Sequence, residues 1–257
     1  MIKTQHMGAV VLMIFVLGFF AIDGLAQEAT TVVVRAKAKD AKFVGTSMGG
    51  AHILIRNAAT GQILTEGVTE GSTGDTGKLM RTPRERYADI STPDAAKFKA
   101  TLTLEEPVFV TVSATAPGVQ RQSKAKVSTQ LWLIPGKDIL GDGIILEIPG
   151  FAIDILQPQA HEATEENSIT ITANAVMMCG CPISPGGLWD SNEMEFTAVI
   201  SQEGQKIARK EMAFAGKSST FEVDFSPEES GVYEVTVYGF DPRTGNAGVD
   251  KTSFIKR

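Results

Sequence analysis

The sequence predicts an all-β protein built from two tandem β-sandwiches behind a cleaved signal peptide. Apolar and polar residues alternate with period two from Thr31 onward, as half-buried strands require. No segment of helix length carries an amphipathic 3.6-residue period. Gly, Pro, Asn and Asp interrupt the alternation at short, regular intervals, the punctuation of stacked antiparallel sheets.

Residues 1–26 read as the signal peptide. Lys3 supplies a positive start, Ala9 to Phe20 is apolar, and Gly24-Leu25-Ala26 offers the small residues a signal peptidase inspects, so cleavage is expected before Gln27. The apolar run falls short of the roughly 20 residues that span a bilayer, and no cysteine follows the cleavage site to take a lipid. The expectation is a periplasmic or extracellular, cell-surface protein without stable membrane insertion after cleavage. Lys3 and Asp23 leave together, so the net charge stays at −6, which argues against nucleic acid as a partner. Only His52 and His161, and one cysteine pair, remain for chemistry. No serine has a His/Asp pair within one domain, so no catalytic residues are assigned and the chain is not read as an enzyme.

Ile53 and Ile55 alternate with His52 and Arg56, and Thr60-Gly61 marks a turn before Ile63. Glu66 to Asp89 is polar and ends in Arg81-Thr82-Pro83-Arg84-Glu85-Arg86, predicting a long loop with room for one helical turn. Phe98 to Leu104 alternates cleanly, Glu105-Glu106-Pro107 turns, and Val108, Val110 and Val112 resume one apolar face, which predicts a hairpin. Strand patterns recur at Ile169–Ile171, Glu195–Ile200, Phe221–Phe225 and Tyr233–Tyr238. One strand set ends at Pro149-Gly150 and another begins at Phe151, giving expected domains 27–150 and 151–257.

Gly50-Ala51-His52-Ile53-Leu54-Ile55-Arg56-Asn57-Ala58-Ala59-Thr60-Gly61 resembles the hairpin of prealbumin-like, carboxypeptidase-regulatory-like β-sandwiches, over about Thr31 to Met80. The short continuation usual in that family is replaced here by the Thr/Gly/Arg-rich insertion. Gly231-Val232-Tyr233-Glu234-Val235-Thr236-Val237-Tyr238-Gly239-Phe240-Asp241, followed by Thr244 to Gly248, is similar to the closing hairpin of bacterial immunoglobulin-like domains, over about Phe151 to Arg257. That resemblance implies a tyrosine corner at Tyr233, its hydroxyl bonding back to the preceding loop. Together the resemblances imply an exported bacterial protein, and neither implies a reaction.

The candidate site is the segment Met177-Met178-Cys179-Gly180-Cys181-Pro182, continuing to Trp189, between the second and third strands of the second domain. Three chemistries suit two cysteines one glycine apart. A Cys179–Cys181 disulfide would clip the loop locally; Gly180 permits the turn, though so small a ring removes little unfolded-chain entropy. A soft-metal site for Cu(I) would use both thiolates with thioethers from Met177, Met178 or Met194, and His161 at the same end of the sandwich. A redox couple would need a helix N-terminus or cationic neighbour that the sequence does not place there. Trp189 could fold over the loop, while Arg81, Arg84 and Arg86 could hold an anionic sugar or carboxylates. Gly71 to Leu79 fails as a phosphate loop because Leu79 stands where Ser or Thr must hold Mg²⁺.

The resulting expectation is a non-catalytic binding or structural protein whose loops meet a protein or carbohydrate partner. Two alternatives are a periplasmic Cu(I)-binding or copper-delivery protein using the Cys-Gly-Cys loop, and an accessory subunit of an exported enzyme complex.

Overall fold

The computed structural model describes residues 28–257; the expected signal peptide lies outside the described residues. Two pairs of facing sheets are formed, one from strands within residues 28–148 and one from strands within 151–256, with no strand shared. The chain is therefore an all-β tandem of sandwiches.

In the first sandwich β1 (Glu28–Ala38) is the middle strand of a three-stranded sheet. It pairs antiparallel with β4 (Phe98–Leu104) and parallel with β7 (Ile139–Ile148). The facing sheet runs β3 (Ile63–Val68), β2 (His52–Asn57), β5 (Val108–Ala116), β6 (Ala125–Leu133), all antiparallel. Alternation decides what goes inside: Val32, Val34, Ala36 and Ala38 of β1 meet Ile53, Ile55, Val110 and Val112 in one buried layer. The β2–β3 hairpin forms at the expected turn, where Asn57 Oδ1 accepts from the N–H groups of Ala59 and Thr60 at 2.9 and 3.1 Å.

The hairpin expected across Glu105-Glu106-Pro107 is not made. Both segments are strands, but β4 is in register with β1 and β5 with β2 and β6, so the turn carries the chain between sheets. A strand that buries one face reads the same in sequence whether its next neighbour lies beside it or opposite it. That is why alternation misled here.

The insertion forms its helical turn at Gly77–Arg81 and folds over the outer face of the three-stranded sheet. Phe43, Ala95 and Ala96, with Leu79, Ile90 and Ile145, make a small second core there. Residues 66–68, expected in the loop, belong to β3.

The second sandwich contains β8 (Phe151–Gln157), β9 (Glu162–Thr164), β10 (Ile169–Met177), β11 (Glu195–Gln202), β12 (Gln205–Glu211), β13 (Ala213–Phe214), β14 (Thr220–Phe225), β15 (Gly231–Phe240) and β16 (Ala247–Lys256). One sheet runs β13-β14-β10-β8 and the other β12-β11-β15-β16-β9. Relabelled in chain order this is D-E-B-A against C′-C-F-G, an immunoglobulin-like order, with β9 added parallel to the last strand. Tyr233 sits at the start of the sixth long strand, and its hydroxyl donates to the Glu229 carbonyl at 2.7 Å. Its ring lies nearly parallel to Phe254 with centroids 4.9 Å apart.

Candidate functional site

The cysteine segment is the connection from β10 to β11, at the end of the second sandwich that faces the first. Met177 ends β10, and its N–H donates to the Cys181 carbonyl at 3.1 Å while its own carbonyl accepts from the Gly180 N–H at 2.7 Å. Gly180 has φ +76°, a left-handed conformation that only glycine adopts without strain. The Cys179 and Cys181 sulfurs lie at disulfide distance, with Cα atoms 5.4 Å apart.

From there the chain is fastened at successive points. Ile183 N–H donates to Ser219 Oγ at 3.0 Å and its carbonyl accepts from Ser219 N–H at 2.9 Å. Asp190 Oδ1 accepts from Gly186 N–H and Asn192 N–H, both at 2.9 Å, and those bonds hold its carboxyl below the ordinary carboxylate range. Trp189 is buried, and its indole Nε1–H donates to the Asp40 carbonyl of the first sandwich at 2.8 Å. Met48, also from the first sandwich, lies against Gly180 closely enough that a Cβ there would stand 2.8 Å from Met48 Sδ.

The same junction is stitched by other buried polar groups. Asn246 Nδ2 donates to Lys39 O at 3.1 Å and Asn246 Oδ1 accepts from Gly150 N–H at 2.9 Å. Ser123 Oγ accepts from Ile153 N–H at 3.1 Å. Each satisfies a main-chain group that burial would otherwise strand. The apolar cores of the two sandwiches run together as one cluster through Met48, Phe151, Met178, Cys179, Cys181 and Trp189.

The residues expected to share a metal are divided. Cys179, Cys181, Met177, Met178 and Met194 are all buried in the common core. His161 is not with them. Its register places it at the opposite end of the sandwich: Met177 pairs with Phe151 at the junction end, whereas His161 follows Gln157 at the other. There its N–H donates to Ser253 O at 2.8 Å and its Nδ1 shares a hydrogen bond with Ser253 Oγ at 3.0 Å. Among the described residues, no three His, Cys, Asp or Glu side chains converge as a metal-holding group.

The expected binding residues also separate. Trp189 faces the junction rather than solvent, because the first sandwich supplies the acceptor for its indole N–H. Arg81 closes the helical turn of the insertion, Arg84 pairs with Asp142 at 3.8 Å, and Arg86 lies over the exposed Tyr87 ring at 4.6 Å.

A residue not singled out from sequence organises the insertion. Arg35 of β1 is buried, and its Nη1 donates to the carbonyls of Ala95 and Ala96 at 2.6 and 2.9 Å. Burial lowers its pKa, while the nearby charges of Asp142 and Asp89 raise it. Asp142 in turn accepts from Ile90 N–H at 2.9 Å and Ser91 N–H at 2.8 Å. Burial opposes its ionisation, but these bonds and Arg84 together hold its carboxyl below the ordinary value. The one signal in the sequence was an arginine directly after the apolar run Val32-Val33-Val34.

No family model matches the chain, and no curated protein matches it. Among solved structures, an engineered protein is 14% identical over 49% of this chain and 24% of its own, with a TM-score of 0.33. The fibronectin(III)-like modules of Clostridium thermocellum CbhA are 10% identical over 89% of this chain and 94% of theirs, with a TM-score of 0.29. A chain from the complex of Dpr2 Ig1-Ig2 with DIP-Theta Ig1-Ig3 is 12% identical over 89% of this chain and 100% of its own, with a TM-score of 0.28. The chain spans about a quarter of the engineered protein it matches. Overlaps this loose assign no family, and the sandwich assignment rests on the chain's own strand order. No described helix is long and apolar enough to cross a membrane.

Proposed function

We propose that the chain is an exported, non-catalytic binding or structural protein of two domains meeting at Pro149-Gly150, and that the Cys-Gly-Cys bend is an internal clasp. The burial of Cys179, Cys181 and Trp189 against Met48 and Asp40 carries this reading. A bend that is enclosed on both sides has no open face for a substrate or a delivered ion. Enclosed, it sets how one sandwich meets the other, and a fixed angle between domains defines the surfaces that a protein or carbohydrate partner meets.

Alkylation of the intact protein, before and after denaturation with reductant, tests the clasp. No thiol should react before, and two should react after. Small-angle scattering of the Cys179→Ser, Cys181→Ser variant should show a broadened distribution of interdomain distances. Tight Cu(I) binding by the reduced protein, lost in that variant, would instead establish the copper reading.

A further inference from the structure

Of the two outer faces of the first sandwich, one is covered by the insertion and the other is open. The open face belongs to β3-β2-β5-β6, and its register orders the outward side chains into rows. Phe109 is paired with Trp132; the next row along the strands is Arg56, Thr111, Gln130; the next is Leu54, Ser113, Ser128; the last is His52, Thr115, Lys126. Rows two residues apart on a strand are about 6.7 Å apart, so the strip runs about 20 Å from Trp132 to Lys126.

Three features of this strip point to a ligand. Trp132 is 58% exposed, with the Phe109 ring tilted against it at a centroid distance of 5.1 Å. An indole more than half exposed is a large apolar surface left in water. On the same face the sheet forms a shallow groove of about 220 Å³ whose lining includes Thr111 and Ser128. Gln130 Nε2 already donates to Thr111 Oγ1 at 2.9 Å, leaving its amide oxygen as an acceptor at the rim. Two cations, Arg56 and Lys126, line the same groove, and no carboxylate does. One carboxylate shares the face: Glu66 of β3 lies across from Leu54, 3.6 Å from His52. A cationic groove on a chain of net charge −6 is a local reversal of sign.

We propose that this face binds an acidic oligosaccharide, a uronate-bearing glycan chain laid along the strands. The C–H face of one sugar ring packs on the Trp132 indole, whose π face is the negative end of its quadrupole. Hydroxyls of the following sugars exchange hydrogen bonds with Thr111, Ser128 and Gln130. Arg56 takes a ring carboxylate through its planar fork, and Lys126 supplies a second, non-directional charge. The site is open, so water screens both charges and affinity is modest and salt-dependent. This rests on reading the chain as an exported binding module. That reading is tested by the thiol and scattering measurements, and the sugar site by titration, so either can fail alone.

Titration of the full mature chain with oligogalacturonate, oligomannuronate and hyaluronan oligosaccharides, followed by calorimetry and tryptophan fluorescence, decides the matter. The chain has only two tryptophans, and Trp189 is buried at the junction, so a ligand-induced spectral change reports Trp132. At least one acidic series should bind at low salt, and cellohexaose should bind more weakly. Trp132→Ala should weaken binding about tenfold or more. Arg56→Gln with Lys126→Gln should remove the salt dependence, with the melting temperature unchanged in both variants. Absence of binding by all three series at millimolar concentration would overturn the proposal. So would affinity unaltered by Trp132→Ala. Concentration-dependent dimerisation that Trp132→Ala abolishes, without sugar binding, would assign the face to a second copy of the chain.

Discussion

Tyr233 shows how much one side chain does at a strand entry. Its hydroxyl donates to the Glu229 carbonyl at 2.7 Å and accepts from the Glu229 N–H at 3.2 Å, closing the loop that leads into β15. Its ring fills the core between Phe225 and Phe254. Tyr233→Phe keeps the ring and removes both hydrogen bonds, so it should cost about 1–3 kcal/mol in a urea-denaturation midpoint with the slope unchanged. This residue was legible through a resemblance: the stretch Gly231 to Asp241 is similar to the closing hairpin of immunoglobulin-like domains, which implies a tyrosine corner there. Trp189 was not. Its acceptor, the Asp40 carbonyl, is 149 positions distant, and no local pattern reports a hydrogen bond across that separation. The cysteine bend fell between the two cases. Gly180 announced a turn, but nothing near it announced Met48 on the other side. Gly180→Ala should therefore destabilise twice over, through φ +76° and through a Cβ placed 2.8 Å from Met48 Sδ. A loss of about 1–3 kcal/mol is expected from the strain of a non-glycine residue there, read from the same denaturation curve.

At the scale of elements, the insertion from Thr69 to Lys97 behaves as a lid packed on a sheet face rather than as a loose loop. Its attachment is polar as much as apolar: Arg35 holds Ala95 and Ala96 from beneath, and Asp142 holds Ile90 and Ser91 from the side. Asp142→Ala leaves both N–H groups without their acceptor and Arg84 without its ion pair. Amide exchange at Ile90 and Ser91 should speed up, and trypsin should cut sooner after Arg84 and Arg86. The melting temperature should fall only slightly, since the small core under Phe43 remains. Equal cleavage rates in the two proteins would show that apolar packing alone holds the segment. Sequence patterning placed a loop with one helical turn at Glu66 to Asp89, starting it three residues early and ending it eight short of Lys97, and it could not show what the turn rests on. The same limit explains the β4–β5 connection. Period-two alternation specifies which side of a strand is buried, while sheet membership depends on register with strands far along the chain, β1 for one and β2 for the other. Exposed edge strands such as β12, Gln205–Glu211, bury too little to leave a pattern at all.

At the scale of the whole molecule, the junction sets the geometry, and it contains a charge conflict. Asp40 stands at the turn after β1, directly beside the loop it anchors through its carbonyl. Burial is the main influence that raises its carboxyl pKa above the ordinary value, and the charge of Asp241 across the junction, with that of Glu147, adds to it. Lys37 and Arg243 pull in the other direction without cancelling the effect. An acid whose folded-state pKa is raised gives its full stability only below the unfolded value, about 3.9. That contribution is lost as the pH rises through the folded value. At neutral pH the ionised Asp40 therefore opposes the docking that its own carbonyl supports. Asp40→Asn keeps the backbone carbonyl for Trp189 and suits φ +54°, which asparagine tolerates about as well as aspartate. The variant should melt higher than the parent at about pH 7 and at the same temperature at about pH 3, where the aspartate is protonated in both folded and unfolded chains. A constant difference across that range would assign the effect to the turn itself. A difference that closes on acidification assigns it to repulsion between the sandwiches.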